Sequence, residues 1–304
     1  MKSLRKGIGR IATAVILVMP FVGCEPGISN TFKNGIRYGV VEEKDLDEIS
    51  GIVTSRRFPG VLWVHNDGGK GNFHAVSTNG QVVARFRLEA DVEDMEDMAA
   101  GSGSGFGAKY LYLGDIGDNE RKRKFIRVYR IREPDVNLRR KSDKRIKIRN
   151  YEVMRLRYPT RLRDAEALLI DPLNEDVLIV TKQGARAEIY RAAAQHWNSE
   201  SVVSLEKIAE VAFGGVSGGD ITSDGTQIIL RRENAARHWR RSSQESIAEV
   251  LRGPFEAVPV IGPPTEQNGE SIAFEPNGAG YYTIGEGKRE AIYFFSSSPL
   301  SAGN

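Results

Sequence analysis

The chain has 304 residues, of which 40% are hydrophobic and 27% charged, so its composition is that of a folded globular protein rather than a disordered one. Its formal net charge is +3, but four of its cations lie in the first 23 residues, which contain no acid. Subtracting these four from 43 basic residues leaves 39 against 40 acids, a net charge of −1. A mature chain without that segment has no overall positive field, and nucleic-acid binding is therefore not expected.

The first 23 residues have the form of a secretory signal peptide. A basic start, MKSLRKGIGR, precedes an apolar run, IATAVILVMPFVG, that is shorter than the ~20 residues needed to cross a bilayer. The run ends in FVGC, which resembles a bacterial lipobox and predicts that Cys24 is the lipidated N-terminus, with a linker over 24–34. The alternative is an ordinary cleaved signal with an incidental cysteine. Cys24 is the only cysteine, so no intrachain disulfide can form.

Five segments of the remaining chain share one pattern: a polar or acidic cluster, an apolar strand, a turn, and a second apolar strand that ends in polar residues. They are EISGIVTSRRFPGVLWVHNDGG from Glu48, DMEDMAAGSGSGFGAKYLYLGDIGDN from Asp94, DAEALLIDPLNEDVLIVTKQG from Asp164, SGGDITSDGTQIILRREN from Ser217 and NGESIAFEPNGAGYYTIGEG from Asn268. Their starts lie 46, 70, 53 and 51 residues apart. Short strands that repeat at this period, with tight-turn residues between them, are typical of a β-propeller.

Further apolar strands follow these pairs. Third strands are predicted at FHAVSTN, FIRVYRI, AEIYRA and AIYFFSS, and fourth strands at QVVARFRLEA, IRNYEVMRLRY, VVSLEKIAEVAF and FEAVPVIG. The fifth repeat lacks a fourth strand, whereas GIRYGVV at 35–41 has no repeat of its own. We therefore predict an all-β, five-bladed propeller over 35–298, whose last blade is closed by the N-terminal strand, and a tail over 299–304. Six blades are the alternative, if the RHWRR region contains another.

Three connecting segments carry weaker signals. Ser242 and Glu245 have capping-box spacing and precede apolar residues, which predicts a short inserted helix in the fourth blade. The basic run at 137–149 is either a surface for an anionic partner or, as we favour, a solvated connection. GSGSGFG at 101–107 resembles a phosphate-binding loop, but it leads into a strand rather than a helix, so a flexible hairpin loop is predicted.

Carboxylates recur at equivalent places in the five repeats. Aligned on the apolar residue that opens each first strand, the repeats superpose Ile52, Met98, Leu168, Ile221 and Ile272. The residues four positions earlier are Glu48, Asp94, Asp164, Ser217 and Asn268. Those two positions earlier are Ser50, Glu96, Glu166, Gly219 and Glu270, and those one position earlier are Gly51, Asp97, Ala167, Asp220 and Ser271. Because the first strand of each propeller blade lines the central channel, these acids are expected to form a ring.

The densest acidic stretch is DVEDMEDMAA at 91–100, where five carboxylates fall within seven residues. Converging carboxylates cannot all stay ionised without compensation. Three solutions are open: a bound hard cation, hydrogen bonds from backbone N–H groups that hold the blades together, and a paired-carboxylate hydrolase site. Oxygen-only ligands favour the first, with Ca²⁺ as the cofactor. The predicted metal ligands are Glu48, Asp94, Glu96, Asp164, Glu166, Asp220 and Glu270.

The ends of the second strands supply the other half of the predicted pocket. Each second strand runs antiparallel to the first, so its end meets the start of the first strand at one face of the propeller. The predicted ligand-binding residues are His65, Asn66, Asp115, Lys182, Arg231, Arg232 and Glu286. Cations beside a metal ion suit a small anionic group, such as a phosphate or a carboxylate. The alternative is that these cations only pair with the acids of the ring.

Two other patterns point to different chemistry and are weaker. His65, His74 and Asp67 have no standard metal-site spacing, although a transition metal could bind such residues. GVSGG at 215–219 fits the Gly-x-Ser-x-Gly pattern of a nucleophilic serine, Ser217. That motif requires a strand, a sharp turn and a helix, whereas a pair of strands is predicted after this one.

Several quoted motifs together resemble bacterial secreted β-propeller proteins of the phytase-like and lactonase-like kind. They are EISGI, LWVHNDGG, DVEDMEDMA, LYLGDIGDN, DAEALLIDP and GGDITSDGTQIILR, and the likeness runs from about residue 45 to 295. The resemblance implies a propeller fold, an extracytoplasmic location and a divalent metal in the channel. Propeller phytases use several Ca²⁺ ions with Lys and Arg at the phosphate, and this chain has residues of the same types.

These observations lead to two functional hypotheses. The first, which we favour, is a monomeric, extracytoplasmic lipoprotein that touches the periplasmic or cell-surface membrane only through its anchor, or a secreted protein if the anchor is absent. It would bind a small anionic ligand or a protein partner at an acidic, Ca²⁺-occupied central pocket. The second is a metal-dependent hydrolase, of phosphoesterase or esterase/lactonase type, that uses the same pocket. Propellers host both roles, so the fold alone does not decide between them.

Overall fold

The computed structural model describes residues 31–68, 70–102, 107–139, 144–197, 199–266 and 268–297. The predicted signal peptide, Cys24 and the tail at 299–304 lie outside the described residues, as does most of the loop at 101–107. Within the described residues, no helix has the length and apolar character needed to cross a membrane.

The regular secondary structure of the described chain consists almost entirely of β-strands. In chain order the strands are β1 (Ile36–Val40), β2 (Ile49–Thr54), β3 (Val61–Asn66), β4 (Asn72–Ser77), β5 (Val82–Leu88), β6 (Met95–Ser102), β7 (Lys109–Asp115), β8 (Ile126–Arg132), β9 (Arg145–Ile148), β10 (Glu152–Arg157), β11 (Ala165–Ile170), β12 (Val177–Thr181), β13 (Ala187–Ala192), β14 (Val203–Ser204), β15 (Glu206–Val211), β16 (Gly218–Ile221), β17 (Gln227–Arg232), β18 (Ala235–Arg240), β19 (Glu256–Val258), β20 (Ser271–Phe274), β21 (Gly280–Ile284) and β22 (Ala291–Ser296). The described helical segments are a 3₁₀ turn at Ala194–His196 and α1 (Ile247–Arg252).

The strands form five sheets arranged as the blades of a propeller. From the centre outwards, the blades are β2-β3-β4-β5, β6-β7-β8-β10, β11-β12-β13-β15, β16-β17-β18-β19 and β20-β21-β22-β1. The first strands, β2, β6, β11, β16 and β20, contact one another in sequence around a closed ring. The predicted five-bladed fold is confirmed. The RHWRR region adds no sixth blade, because it falls largely in β18, the third strand of the fourth blade.

The fifth blade is completed by the N-terminal strand, as predicted. β1 pairs antiparallel with β22, from Ile36 opposite Phe294 to Val40 opposite Ala291. The packed region begins slightly before the predicted boundary at residue 35. Phe32 is only 4% exposed, and its ring lies edge-on to Tyr281 with centroids 4.9 Å apart. Residues 31–34 therefore belong to the domain rather than to a linker.

The apolar core lies between the blades rather than in one central mass. Five clusters of buried side chains fill the five interfaces between neighbouring blades. Between the first two blades, for example, Trp63, Phe73 and Phe86 pack with Leu111 and Leu113. The hydrophobic side chains therefore face neighbouring blades, and the channel-facing ends of the first strands are left for polar residues.

Two connecting segments add strands at the outer edges of blades. β9 pairs parallel with β5 on the first blade, and β14 pairs parallel with β10 on the second. Part of the basic run at 137–149 is thus a strand, although its residues 144–147 are solvent-exposed. The favoured interpretation as a solvated connection agrees with this exposure, and the structure adds that the chain runs along the open edge of the preceding blade before it enters β10.

The predicted helix is present, but a different residue caps it. α1 begins after Ser246, whose hydroxyl accepts a bond from the Glu249 backbone N–H while Glu249 bonds the Ser246 N–H. This is a complete capping box four residues beyond the predicted one. Ser242 and Glu245 do bond each other, through the Glu245 carboxylate, but they close the preceding turn.

Candidate metal centre and channel mouth

β-Bulges place the acids of the second and third blades. The register shifts between Met95 and Asp97 and between Ala165 and Ala167, which leaves Glu96 and Glu166 as the extra residues. The first blade has the same shift around Ser50. A bulge kinks the strand and re-aims the side chain of the extra residue. This local irregularity gives Glu96 and Glu166 corresponding positions on neighbouring first strands.

Five carboxylates form what we call the acidic cluster: Asp67, Asp94, Glu96, Asp164 and Glu166. It consists of two overlapping groups that share Glu96. In each group, one carboxylate oxygen from every member lies within 4.8 Å of those of the others. One group joins Asp67 and Asp94 to Glu96, and the other joins Asp164 and Glu166 to Glu96. Four of the five were predicted metal ligands, and the fifth, Asp67, directly follows β3.

The acidic cluster is only partly compensated by protein groups. Asp164 Oδ1 accepts a 2.9 Å bond from the Asp118 backbone N–H, and Glu166 Oε1 forms an ion pair with the Lys182 ammonium. The second oxygen of Glu166, Oε2, is buried without a hydrogen-bond partner. An unpartnered carboxylate oxygen in a site this buried is strongly unfavourable unless a proton or a cation reaches it.

Burial and mutual repulsion raise the pKa values of three acids of the acidic cluster, Asp94, Glu96 and Glu166. Burial, reinforced by Glu166 and Asp94, raises the pKa of Glu96 to about 10. Burial raises the pKa of Glu166 to about 7, although Lys182 opposes the shift. Burial followed by the charge of Asp67 also raises the pKa of Asp94. Without a cation, Glu96 is therefore protonated and Glu166 partly protonated near neutral pH.

The residues of the acidic cluster fit a hard divalent cation. All of their donors are carboxylate oxygens, the ligand type that Ca²⁺ takes in sets of 6–8. Gly117 packs closely against two of these acids and has no room for a side chain. A Cβ at Gly117 would lie 2.5 Å from Asp94 Oδ2 and closer still to Glu96 Oε1. The grouping of the carboxylate oxygens and the unpartnered Glu166 Oε2 indicate that Glu96 and its neighbours could hold such an ion.

Beside the acidic cluster lies a cavity of about 540 Å³, which we call the channel mouth. It is lined by Lys182, Gly215, Ser217, Arg232, Glu233, Asn234, Asn268, Glu270 and Glu286. The Lys182 ammonium connects it to the cluster, because it pairs with Glu166 and lies 3.7 Å from Glu270 Oε1. Burial and the charge of Glu166 raise the pKa of Glu270 to about 8, and Glu270 also hydrogen-bonds Glu286. The arrangement presents cations and a protonatable carboxyl to an open space.

Arg232 is the second cation of the channel mouth. Its guanidinium lies over the Phe213 ring, 5.2 Å from the centroid, and no ion pair holds it among the described residues. Of the seven predicted ligand-binding residues, three line this cavity: Lys182, Arg232 and Glu286. The predicted metal ligand Glu270 belongs to the cavity wall, next to the acidic cluster rather than in it.

Arg231 does not reach the channel mouth, contrary to prediction. Its side chain is 0% exposed and forms an ion pair with the equally buried Glu266. It also donates a 2.9 Å bond to the Ser271 carbonyl. Successive strand residues face opposite sides, so Arg231 and Arg232 cannot share a pocket. Glu266 lies in the connection after β19 and had no sequence signal that marked it as the partner.

Asp220 also lies outside the acidic cluster, because its carboxylate bonds the backbone of the next blade, as that of Asp97 does. Asp220 Oδ2 accepts a 2.9 Å bond from the Phe274 backbone N–H in the next blade, and its Oδ1 accepts one from Ile221. The Asp97 carboxylate likewise accepts hydrogen bonds from the backbone N–H groups of Leu168 in the next blade and of its own neighbour Met98. These two acids join adjacent first strands through the backbone, which was one of the solutions considered for the acidic ring.

Removing this connection should destabilise the propeller. We expect Asp220→Ala to lower the free energy of unfolding by about 1–3 kcal/mol, because the Phe274 N–H is left buried and unpaired. Asp220→Asn keeps one acceptor oxygen and should lose less. Urea denaturation midpoints of the two variants and the wild type measure the difference. Equal midpoints for all three would contradict the role.

Two arginines compensate the outer acids of the run at 91–97 together with Asp115. Arg127 lies 3.5 Å from Asp91, 3.0 Å from Glu93 and 3.1 Å from Asp115, measured between the charged atoms. Arg123 lies 2.8 Å from Asp115. Asp115 is fully buried in this network and therefore is not a ligand-binding residue of the channel mouth. The run thus divides into an outer part neutralised by arginines and an inner part in the acidic cluster.

The remaining predicted residues lie around the first blade. His65 is buried beside Gly51, desolvation lowers its pKa to about 4, and its Nδ1 lies 2.9 Å from the Asn66 carbonyl. Glu48 is exposed and lies outside the acidic cluster. Only its backbone carbonyl approaches the cluster, where it accepts a 2.8 Å hydrogen bond from the Asp67 N–H. Neither His65 nor His74 joins a metal-binding group among the described residues, so the histidine site is not formed.

Ser217 lines the channel mouth, but no helix follows it. Its hydroxyl lies 3.5 Å from the Glu270 carbonyl, and β16 and β17 form the predicted pair of strands after it. His238, on β18 of the same blade, contacts Gln227 and Glu256 instead. No serine–histidine pair is present at this position in the described chain.

Comparison with known proteins adds no functional assignment. No family model and no curated protein matches the chain. Among solved structures, the chain is similar to hydrazine synthase from Kuenenia stuttgartiensis, at 13% identity and a TM-score of 0.39, over 80% of this chain and 56% of that one. It is also similar to U3-55K, at 11% identity and a TM-score of 0.39, over 81% of this chain and 67% of that one. The chain thus spans about half the length of the first match, and the propeller is defined by its own sheet topology.

Proposed function

We propose that this chain is a lipid-anchored, extracytoplasmic β-propeller that binds Ca²⁺ in the acidic cluster and a small anionic ligand beside it in the channel mouth. The location rests on the sequence of residues 1–24, with secretion as the alternative. The binding function rests mainly on one observation: the unpartnered oxygen of Glu166 lies next to a cavity that presents Lys182 and Arg232.

The electrostatics of the site support an anion as the ligand only when a cation is bound. Without a cation, Lys182 is held by Glu166 and lies close to Glu270, so little of its charge is available. A divalent cation shared by Glu96 and Glu166 would compensate these acids and free Lys182 for an external anion. Arg232 supplies a planar, always charged group suited to phosphate or carboxylate oxygens.

Calorimetric titration with phenyl phosphate tests this function. We expect binding in the presence of CaCl₂ and none with EDTA. Arg232→Gln should weaken binding by about tenfold or more, since a charge-assisted hydrogen bond contributes about 1.5–3 kcal/mol. Arg240→Gln is the matched control, because Arg240 is exposed on β18 and does not line the cavity. Equal binding in CaCl₂ and EDTA, or equal loss in both variants, would contradict the proposal.

A metal-dependent hydrolase is the second candidate, and Glu270 is the observation that favours it. A carboxyl with a pKa of about 8 beside a cavity is protonated near neutral pH and suits a general acid. Assays with p-nitrophenyl phosphate, p-nitrophenyl acetate and a γ-lactone, each with CaCl₂ or EDTA, test this role. Calcium-dependent turnover that Glu270→Gln removes would favour the hydrolase, whereas binding without turnover would favour the ligand-binding protein.

A further inference from the structure

A second, smaller cavity lies on the first blade. Its volume is about 240 Å³, and its lining residues are Glu43, Asp45, Asn66, Asn72, His74, Arg85 and Arg145. It shares no lining residue with the channel mouth. Glu43 and Asp45 come from the connection between β1 and β2, which covers one face of the first blade. We call this space the blade-1 cavity.

His74, Arg85 and Arg145 form a row across the sheet. In the strand register, His74 of β4 lies opposite Arg85 of β5, and Arg85 lies opposite Arg145 of β9. Residues paired in this way project from the same face of a sheet. Glu43 neutralises Arg85 through an ion pair from the covering connection. The blade-1 cavity is therefore enclosed by a charged sheet face on one side and by acids on the other.

Three buried polar atoms of its lining residues have no hydrogen-bond partner: Asn66 Oδ1, Asn72 Oδ1 and His74 Nδ1. His74 is 6% exposed. The orientation of the Asn66 amide is fixed, because its Nδ2 donates a 2.7 Å bond to the Asp45 carbonyl, so Oδ1 is the atom left over. Each unsatisfied buried group is unfavourable by about 1–3 kcal/mol. Three of them around one cavity indicate a space built to hold a polar molecule.

The available groups define the chemistry of that molecule. Two amide oxygens accept hydrogen bonds, so the buried end of the ligand must donate more than one, as a primary ammonium does. At the exposed side, Asp45 and Arg145 carry opposite charges, and neither has an ion pair among the described residues. Burial and the charges of Arg145 and Arg85 lower the pKa of His74 to about 4, so its ring stays neutral and adds no charge. A molecule with an ammonium and a carboxylate attached to one carbon atom satisfies both sets of groups.

We propose that the blade-1 cavity binds a free α-amino acid, with its ammonium at the oxygens of Asn66 and Asn72 and its carboxylate at Arg145. The cavity has the volume of about eight water molecules at ~30 Å³ each, which suits a small side chain. His74 Nδ1 completes the site as a neutral donor or acceptor for the ligand. The site is independent of the acidic cluster and of the function proposed for it.

Thermal-shift measurements with each protein L-amino acid, followed by calorimetry on the strongest responder, test this inference. We expect at least one small amino acid to bind, with equal affinity in CaCl₂ and in EDTA. Glycine betaine, which has methyl groups in place of ammonium N–H donors, and ethanolamine, which has no carboxylate, should not bind. Binding of glycine betaine, or of ethanolamine as strongly as the amino acid, would overturn the assignment. So would a complete lack of response to all amino acids, which would mean that water alone occupies the cavity.

Variants locate the binding. We expect Arg145→Gln and Asn72→Leu each to weaken the binding of the amino acid by about tenfold or more. Arg149→Gln is the matched control, because Arg149 is exposed in the same basic run but does not line the blade-1 cavity. The Arg145→Gln variant should fold normally because it changes an exposed side chain, so it remains informative even if Asn72→Leu fails to fold. Unchanged affinity in Arg145→Gln would overturn the placement of the carboxylate.

Discussion

Replacing Arg231 with methionine should lower the free energy of unfolding by about 3–5 kcal/mol, the range for removing one partner of a buried ion pair. The guanidinium and the Glu266 carboxylate are both fully buried. Without Arg231, the Glu266 carboxylate keeps one side-chain donor among the described residues, the neutral Thr283 hydroxyl at 3.0 Å. The loss should be visible as a lower urea midpoint with an unchanged slope.

The neighbouring residue provides the control. Arg232→Gln removes the same charge one position along β17, where the side chain is partly exposed and unpaired, and should change stability by less than about 0.5 kcal/mol. The double variant Arg231→Met, Glu266→Leu should recover part of the loss, because no buried charge remains. Similar destabilisation in Arg231→Met and Arg232→Gln would show that Arg231 is not a structural ion-pair residue.

In EDTA, stability should fall as the pH rises from about 5 to about 8. A carboxyl whose pKa is higher in the folded state stabilises the fold below its unfolded pKa, and this stabilisation is lost as the pH rises through the folded value. Burial gives Glu166 a pKa of about 7 and Glu270 one of about 8. A pKa difference of this size corresponds to about 3 kcal/mol for Glu166 alone.

Calcium should remove most of this decrease, because a bound divalent cation favours the ionised carboxylates that high pH produces. Melting temperatures at pH 5 and pH 8, each with CaCl₂ and with EDTA, measure the effect. Glu166→Gln should flatten the EDTA series, whereas Glu206→Gln, an exposed glutamate on β15, should leave it unchanged. An EDTA series that is level or rises with pH in the wild type would contradict the account.

The fold was largely predictable because it repeats. Five copies of one strand pattern, with turn residues between them, fixed the number of blades and the closing role of β1. The added strands β9 and β14 were not predictable, because they are short and pair parallel with strands of the preceding blade. The cap of α1 was misplaced because two serine–glutamate pairs with the same spacing occur in succession, at Ser242 and at Ser246.

The site was predictable only in its innermost part. Alignment on the first apolar residue placed Glu96 and Glu166 at equivalent positions, and the structure shows both as the extra residues of bulges and close to each other. The same alignment grouped Asp220 with them, although its position, one residue further on, turns the side chain towards a backbone N–H of the next blade. Asp115 and Arg231 were misassigned for a related reason: strand ends show which face a residue is near, but not which buried partner takes its charge.

A calorimetric titration of the EDTA-treated protein with CaCl₂ tests the central claim most directly, namely that Glu96, Glu166 and their neighbours converge to hold a cation. We predict a saturable isotherm for the wild type and none for Glu96→Gln, Glu166→Gln, with both proteins folded by circular dichroism. The absence of Ca²⁺ binding to the wild type, or an unchanged isotherm in the double variant, would contradict the claim.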